Sequence, residues 1–121
     1  MVREIKFRAW DTVSDKMRYS FLIGSDGDYY YRDFGTVRPL TPDAMELMQF
    51  AGLTDKNGVD IYEGDIVDHP WQNEGKHSTV IFAGGGFCVK QSNLVWAPFS
   101  SNEWDRLEVI GNIYENKELM E

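Results

Sequence analysis

Residues 49–68 read QFAGLTDKNGVDIYEGDIVD, and branched and aromatic side chains recur on both sides of a central turn-forming segment. Such side chains suit the pleated, half-buried surface of a β-sheet. The segment Asp55-Lys56-Asn57-Gly58 has the composition of a tight loop, because Asp and Asn favour turns and glycine takes the positive φ of a type I turn with a bulge. The stretch therefore predicts a strand at Gln49 to Leu53 and, after this four-residue loop, a second β segment at Ile61 to Asp68 that is interrupted by Gly64-Asp65.

The β pattern continues toward the N-terminus. Two-residue alternation of apolar and charged side chains predicts a strand from Arg3 to Trp10 and a second from Lys16 to Ile23, which pair as a hairpin across the turn Asp11 to Asp15. A short strand is expected at Tyr29 to Arg32. The following Gly35 to Pro39 is expected to be irregular.

One segment carries helix signals. Thr41 suits an N-cap, Pro42 suits the first helical position, and Asp43 suits the positive end of the helix dipole. These signals predict a helix of about two turns from Pro42 to Met48. A second short helical turn is expected after Asn116.

The C-terminal half also reads as strands. Thr79 to Ala83 and Phe87 to Lys90 flank three glycines and predict a hairpin, Leu94 to Phe99 predicts an edge strand, and Leu107 to Tyr114 predicts a central strand. Several short strands joined by tight turns fit a small closed barrel, which leaves no exposed sheet edge. Strand spacing alone does not separate an SH3-like barrel from an OB-like one.

Composition limits the classes of protein that fit. A chain of 121 residues forms one compact domain, or one with a small appendage. The lone Cys88 excludes a disulfide framework, and no apolar run is long enough to span a membrane. No signal-peptide core is found at the N-terminus, so we expect a protein of the reducing cytoplasm.

The charge is unevenly distributed along the chain. Residues 1–40 carry seven basic and six acidic side chains, whereas residues 41–121 carry five basic and fourteen acidic ones. An acidic surface repels phosphate backbones, because nucleic-acid affinity comes from basic side chains that displace counterions. Nucleic-acid contact is therefore possible only through the first third of the chain.

No pattern in the sequence predicts catalysis. The acidic run from Asp55 to Asp68 lacks the glycine and glutamate positions of a calcium loop, and His69, His77 and Cys88 lack the paired spacing of a zinc site. Gly84-Gly85-Gly86 joins two strands without the Lys-Ser/Thr of a phosphate loop. We therefore expect no catalytic residue, no metal, no cofactor and a non-enzymatic protein.

Four blocks of sequence resemble the YopX family, a group of small proteins encoded by phages and prophages of bacteria. They are IKFRAWD at 5–11, QFAGLTDKNG at 49–58, IYEGDIV at 61–67 and VIGNIYEN at 109–116. The resemblance implies a mainly β fold whose C-terminal portion is an SH3-like barrel. Together with the hairpin and helix predicted above, it divides the chain into a β-hairpin and short helix over residues 1–48 and an SH3-like barrel over residues 49–121. It implies no established activity, and it places the protein in the cytoplasm of a bacterial host cell.

Several residues of these blocks are expected to have structural roles, since turns and barrel corners need glycine and short polar side chains. They are Gly52, Asp55, Gly58, Gly64, Asp65, Gly111 and Asn112. Tyr62 and Glu63 fit neither an obvious core nor an obvious turn position, so a functional role and a structural role both stay open for them.

Aromatic side chains are more numerous than a small core needs. With neighbouring charged residues they form a candidate binding surface, because exposed aromatics and arginine anchor protein interfaces and also stack on unpaired bases. The surface comprises Tyr29, Tyr30, Arg32, Tyr62, Glu63, Trp71, Trp96 and Trp104. The alternative is that several of them close the ends of the barrel.

Two binding functions follow from this surface. The first is an interaction module that binds a protein partner or a second copy of itself. The second is a single-stranded nucleic-acid-binding accessory protein. Its contacts would be Arg3, Lys6, Arg8, Arg18, Tyr30 and Arg32.

Overall fold

The computed structural model describes residues 4–33, 35–40, 42–68, 77–91, 94–96 and 106–120. Within them the chain forms twelve β-strands and two short 3₁₀ helices, so the predicted mainly β fold is confirmed. Among these residues no helix has the length and apolar character needed to cross a membrane.

The described chain divides into two compact units. One is Phe7–Met48, and the other comprises Met1–Lys6 and Gln49–Glu121. Strand β6 (Met45–Thr54) contributes its first four residues to one unit and its remaining six to the other.

The Phe7–Met48 unit begins with the hairpin predicted from the sequence. Strand β1 (Phe7–Asp11) pairs antiparallel with β2 (Lys16–Arg18), and Ala9 lies opposite Arg18. Asp15 takes the left-handed conformation at φ 53° in the turn, which an aspartate tolerates better than most residues. The predicted hairpin is therefore confirmed, although its first strand begins at Phe7 and leaves residues 4–6 outside it.

A three-stranded antiparallel sheet completes this unit. It consists of β3 (Leu22–Ile23), β4 (Tyr29–Asp33) and β5 (Thr36–Pro39), with β4 in the middle. The core of the unit consists of Ala9, Leu40 and Met45, with Phe21, Tyr29 and Tyr31 packed against them.

Three sequence predictions for this unit were wrong. The strand expected from Lys16 to Ile23 is divided into β2 and β3, which lie in different sheets. The segment Gly35 to Pro39 contains strand β5, because it finds a partner in β4. The helix expected over Pro42 to Met48 is a 3₁₀ turn at Pro42–Ala44 followed at once by β6.

The missing helix has a physical explanation. A helix of about two turns is unstable in isolation, since nucleation costs more than so few hydrogen bonds return. In the structure Met45 is 8% exposed and belongs to the core of its unit. Burial of this side chain in a strand thus overrides the capping signals at Pro42 and Asp43. Thr41, the expected cap, lies outside the described residues.

The larger unit contains the end of β6 paired with β7 (Asp60–Tyr62), followed by a five-stranded antiparallel sheet in the order β11-β10-β9-β8-β12. The strands of this sheet are β8 (Asp65–Asp68), β9 (His77–Ala83), β10 (Gly86–Gln91), β11 (Leu94–Trp96) and β12 (Glu108–Asn112). The buried core of the unit is Ile61, Val67, Val80, Val89 and Leu107.

The predicted hairpin of β9 and β10 and the predicted edge position of β11 are confirmed. The prediction for Leu107 to Tyr114 was wrong in its placement, since β12 pairs only with β8 and ends the order of the described strands. Its apolar residues indicated burial, but burial under neighbouring side chains does not require a strand partner on both edges. Leu107, which directly precedes β12, is 1% exposed.

Candidate functional site

The sheet of β3, β4 and β5 has one face directed away from the core of its unit. The register places Leu22 opposite Tyr30, Tyr30 opposite Pro39, and Arg32 opposite Val37. Residues that lie opposite one another share a face, and successive residues alternate. We call the surface formed by Leu22, Tyr30, Arg32, Val37 and Pro39 the outer face. Tyr29 and Tyr31 alternate to the other side, where they pack on the core.

The outer face is accessible and largely apolar. Leu22 is 39% exposed and Val37 is 54% exposed, and Arg32 and Pro39 are also exposed. Tyr30 is half-buried. Leu22, Val37 and Pro39 thus place accessible apolar side chains beside Tyr30 and Arg32 on one face of a regular sheet.

Tyr30 rests against the turn that connects β3 and β4. A Cβ atom at Gly24 would lie 3.2 Å from Cε2 of Tyr30 and 2.7 Å from Oδ1 of Asp26, so glycine allows the ring and the turn to approach. The negative charge of Asp26, with burial and Asp28 adding to it, raises the pKa of the Tyr30 hydroxyl. This hydroxyl therefore keeps its proton and is available as a hydrogen-bond donor.

An open groove of about 250 Å³ lies beside the outer face. Strand β3 pairs only with Tyr29 and Tyr30 of β4. Ser20 and Phe21, which precede β3, are not paired with β4, and they line the groove together with Tyr31 and Arg32. We call this the Arg32 groove, and its lining consists of Arg18, Ser20, Phe21, Leu22, Tyr31 and Arg32.

The two arginines of the groove differ in their electrostatic partners. The Nε of Arg18 donates to Oδ2 of Asp11 at 2.8 Å, and its guanidinium lies 5.5 Å from the centre of the Tyr31 ring. Arg32 makes no ion pair with any described side chain. Arg32 is thus the cation that the groove presents without a counter-ion from the described chain.

Asp11 remains ionised beside Arg18. Burial alone raises the pKa of this carboxyl, but hydrogen bonds from Arg18, Ser14 and Val13 outweigh that effect and lower the pKa to about 2. The main-chain N–H groups of Val13 and Ser14 donate to Oδ1 at 3.0 and 3.2 Å. Asp11 therefore neutralises Arg18 at all ordinary pH values.

Asp55 has a structural position in the larger unit. It is 4% exposed, and its Oδ1 accepts the main-chain N–H groups of Asn57 at 2.8 Å and Val59 at 2.9 Å. Its Oδ2 accepts the N–H of Val109 at 2.9 Å, 54 residues further along the chain. One carboxylate thus organises the loop and attaches it to the start of β12. Gly58, in the same loop, has φ +80°.

Tyr62, Glu63 and Asp65 are held together at the turn between β7 and β8. The Tyr62 ring is buried, and its centroid lies 5.6 Å from that of the Phe50 ring. The main-chain N–H of Tyr62 donates to Oδ2 of Asp65 at 2.7 Å. The N–H of Glu63 donates to the Gln49 carbonyl at 2.9 Å, and Oε1 of Glu63 accepts the N–H of Gln49 at 3.3 Å. These contacts give Tyr62 and Glu63 a place in the packing of the sheet. They do not lie on the outer face.

Gly111 and Asn112 form the end of β12. A Cβ atom at Gly111 would lie 2.5 Å from Oδ1 of Asn116, so only glycine allows this close approach. Oδ1 of Asn112 accepts the N–H groups of Tyr114 at 3.0 Å and Glu115 at 2.9 Å. The other two glycines of the family blocks also lie in this unit: Gly52 has φ +86° and Gly64 has φ +89°.

The tryptophans of the candidate surface are not placed by the structure. Trp71 and Trp104 lie outside the described residues, and Trp96 is described only as part of β11. The residues of the candidate surface that the structure does bring together are Tyr30 and Arg32, on the outer face. Tyr29 lies on the opposite face of the same strand.

The residues proposed for nucleic-acid contact are mostly engaged within the chain. Nζ of Lys6 lies 2.7 Å from Oδ2 of Asp60 and 3.3 Å from Oε1 of Glu4. Arg8 is 4% exposed, and Arg18 is paired with Asp11. Arg3 lies outside the described residues.

The sequence interpretation missed Ser20, Phe21, Leu22, Val37 and Pro39. The signal that could have found the last two is the alternation of Val37 and Pro39 with Arg38, which is compatible with a strand beside Tyr29 to Arg32. No signal marks the start of β3 at Leu22, because a two-residue strand is too short to show periodicity. In the described part of the chain no three His, Cys, Asp or Glu side chains are grouped to hold a metal ion.

Comparison with known proteins agrees with the sequence resemblance. No protein with a curated description matches the chain. The crystal structure of protein EF1440 from Enterococcus faecalis is similar at 30% identity and a TM-score of 0.69, with 99% of this chain and 100% of that chain covered. Protein yopX from Bacillus subtilis is similar at 29% identity and a TM-score of 0.67, with 95% of each chain covered. The family model described as YopX protein matches residues 6–121, and the chain therefore belongs to the YopX family.

Proposed function

We propose that this protein is a non-enzymatic interaction module that binds a protein partner, or a second copy of itself, through the outer face. The observation that carries the proposal is the set of exposed apolar side chains, Leu22, Val37 and Pro39, adjoining Tyr30 and Arg32 on one side of a regular sheet. Tyrosine and arginine are enriched among the residues that dominate binding energy at protein interfaces. Their position among apolar side chains gives the surface the composition of an interface centre.

The roles of the buried polar side chains support a binding function over a catalytic one. Asp11, Asp55, Asp65 and Asn112 are all buried, and each accepts main-chain N–H groups of a nearby turn. A general acid or base needs a carboxyl that can reach a substrate proton. These four side chains are instead committed to the backbone.

The same contacts favour a protein partner over single-stranded nucleic acid, which is the second candidate. Lys6 and Arg18 are already paired with carboxylates, and Arg8 is buried. Among the described basic residues proposed for that contact, only Arg32 is neither buried nor paired with a carboxylate, and one cation displaces few counterions from a phosphate backbone. Fluorescence anisotropy with a single-stranded oligonucleotide at low salt tests this candidate directly, since binding there would favour it.

Three finer features belong to the proposal. We infer that the unit from Gln49 onward closes as an SH3-like barrel, which is supported by the bulge between Val109 and Gly111 that bends β12 against β8. Membership of the YopX family supports an origin in a phage or prophage and a location in the bacterial cytoplasm. The partner is then a host protein, a phage protein or a second copy of the chain.

The test compares two lysine substitutions of exposed valines in the same unit. Val37→Lys introduces a charge at the outer face, whereas Val13→Lys introduces it in the β1–β2 turn, where Val13 is 74% exposed. Sedimentation velocity measures self-association, and affinity capture from a bacterial lysate measures binding to other proteins. We expect the wild type and Val13→Lys to behave alike and Val37→Lys to lose the association.

Two results would count against the outer face as an interface. One is an association that Val37→Lys retains at the strength of the wild type. The other is an equal loss in both variants, because that would show a general effect of the added charge and not an effect of its position.

A further inference from the structure

The open edge of β4 beside the Arg32 groove is suited to a specific kind of partner segment. Strand β5 pairs with Tyr30, Tyr31, Arg32 and Asp33, but β3 on the other side pairs only with Tyr29 and Tyr30. From Tyr31 onward this side of β4 therefore has no strand partner among the described residues. An unpaired strand edge is a template for an added strand.

The main chain of Arg32 points toward this open edge. The carbonyl of Tyr29 accepts the N–H of Leu40, which directly follows β5, so the main-chain groups of Tyr29 are directed to the β5 side. In an antiparallel ladder these directions alternate from residue to residue. The N–H and C=O of Arg32, three positions later, are consequently directed to the side of β3, where they have no hydrogen-bond partner in the described chain.

The same alternation assigns the side chains of an added strand. A residue that pairs with the main chain of Arg32 has its side chain on the outer face, next to the Arg32 guanidinium. Its two neighbours have their side chains on the opposite face, where Tyr31 lies and where Phe21 lines the groove. At this position the added strand requires a side chain that can pair with a guanidinium, and the residues on either side of it require side chains that can pack against aromatic rings.

We propose that an extended segment of a partner protein with the pattern apolar–acidic–apolar adds to β4 at Arg32, with its carboxylate on the guanidinium and a flanking apolar side chain in the Arg32 groove. This inference rests on the proposed interaction function. The charge argument is that Arg18 is neutralised by Asp11 whereas Arg32 has no carboxylate partner among the described side chains. A carboxylate and a guanidinium form paired, charge-assisted hydrogen bonds.

The size of the groove limits the contact. A volume of about 250 Å³ is below the range of about 300–1,000 Å³ that is typical of small-molecule sites. One or two side chains fill it, and the remaining residues of the segment lie on the surface. We therefore expect the pattern around the acidic residue to be specified and the sequence beyond it to vary.

The experiment begins with random peptides of about ten residues displayed and selected on the immobilised full chain. We expect selected peptides to be enriched in Asp or Glu flanked by apolar residues. A synthetic peptide of the selected sequence is then measured by fluorescence anisotropy against the wild type, Arg32→Glu and Arg38→Glu. Arg38 is the matched control because it is an exposed arginine on β5, opposite Tyr31 and not on the outer face.

The expected results separate charge from backbone pairing. Arg32→Glu weakens binding by about tenfold or more, and Arg38→Glu changes it by less than about threefold. Replacing the acidic residue of the peptide by lysine restores binding to Arg32→Glu. Methylating the main-chain nitrogen of that peptide residue also weakens binding by about tenfold, because it removes the donor to the Arg32 carbonyl. Arg32→Gln, with circular dichroism of each variant, covers the case in which Arg32→Glu does not fold.

Several results would overturn the inference. Peptides selected without acidic enrichment, equal effects of Arg32→Glu and Arg38→Glu, or binding insensitive to main-chain methylation would each contradict it. Tighter binding of a single-stranded oligonucleotide than of the peptide at about 0.15 M salt would do the same. If Val37→Lys loses association and any of these results is also obtained, the proposed interaction function is retained and the acidic partner segment is refuted. An unaffected Val37→Lys would instead refute the proposed function itself.

Discussion

Replacing Asp55 by alanine should destabilise the protein more than removing a turn carboxylate that accepts fewer hydrogen bonds, such as Asp26. The substitution removes the acceptor of three main-chain N–H groups, those of Asn57, Val59 and Val109. The carboxylate is 4% exposed, but its three hydrogen bonds are only partly buried, and Asn57 and Val59 are exposed residues. Water can therefore replace part of what the carboxylate provides, and at about 0.5–1.5 kcal/mol for each hydrogen bond the loss of three costs about 2–4 kcal/mol. That is a large part of the 5–15 kcal/mol that separates a typical folded domain from its unfolded chain.

The control is Asp26→Ala. Asp26 makes the same kind of turn hydrogen bond, with its Oδ1 accepting the N–H of Asp28 at 3.0 Å, but this turn is exposed. Its loss should cost less than about 1 kcal/mol, because water replaces the acceptor. Asp55→Asn is a milder variant of the buried site. Asparagine keeps one acceptor oxygen but places an NH₂ group where the other carboxylate oxygen accepts a hydrogen bond. We expect this substitution to lower the free energy of unfolding by about 1–3 kcal/mol.

The assay is urea unfolding followed by circular dichroism, with hydrogen exchange at the Val109 amide as a local measurement. We expect the midpoint to fall in the order wild type, Asp26→Ala, Asp55→Asn, Asp55→Ala, and exchange at Val109 to accelerate in both Asp55 variants. If Asp55→Ala does not fold, the comparison of Asp55→Asn with Asp26→Ala still decides the matter. Equal midpoints for the Asp26 and Asp55 variants would refute the assignment of Asp55 as the link between its loop and β12.

Three further predictions concern other sites. Gly111→Ala places a methyl group 2.5 Å from Oδ1 of Asn116, and we expect a loss of about 1–3 kcal/mol in the same urea assay, partly recovered in a double variant with Asn116→Ala. The pKa of Asp11 is about 2 in the folded chain against a usual 3.8, so its contribution is fully present above about pH 4 and is lost as the pH falls toward 2. Asp11→Asn should therefore remove about 2 kcal/mol of the acid dependence of unfolding, and an unchanged pH profile would contradict the role of Arg18 as its partner. Cys88 is 8% exposed, and its Sγ donates to the carbonyls of Ala83 at 3.5 Å and Gly86 at 3.6 Å. A thiol reagent should therefore react with Cys88 only in denaturant. Rapid reaction in buffer would contradict this prediction and show that the β9–β10 hairpin opens.

Local sequence features were sufficient where the structure is local. The β1–β2 hairpin and the loop at Asp55 are both specified within about ten residues, by alternation on the strands and by turn-forming residues between them. The hydrogen bond from Asn57 to Oδ1 of Asp55 is of the same local kind. Such features need no knowledge of the rest of the chain.

Features that depend on distant partners were not accessible in this way. Pro42 to Met48 carries helix signals at its start, but a strand from Met45 onward is selected by the burial of Met45 with Ala9 and Leu40. The hydrogen bond from Val109 to Asp55 spans 54 residues, and no local pattern indicates it. The candidate site was predicted only in part, because it too depends on residues that are distant in the sequence. Tyr30 and Arg32 were identified by residue type, whereas their face was defined only by their register with Leu22 and Val37.

The chain enters and leaves the Phe7–Met48 unit at neighbouring points, which bears on how the length of that unit affects stability. The larger unit includes the chain up to Lys6 and again from Gln49 onward. Within it, the N–H of Phe50 donates to the Lys6 carbonyl at 2.9 Å. Nζ of Lys6 also lies 4.4 Å from the centre of the Phe50 ring. Phe7–Met48 is therefore an insertion whose two points of attachment adjoin each other on the larger unit.

The length of a segment whose ends adjoin each other has a small effect on the entropy of joining those ends. The entropy lost on joining the ends of a chain segment rises slowly with its length, by about 0.6 kcal/mol for each doubling. A change in the length of the segment between Lys6 and Gln49 thus has a small effect on this one entropic contribution. The outer face lies within that segment, and none of its residues belongs to the sheet of β8 to β12.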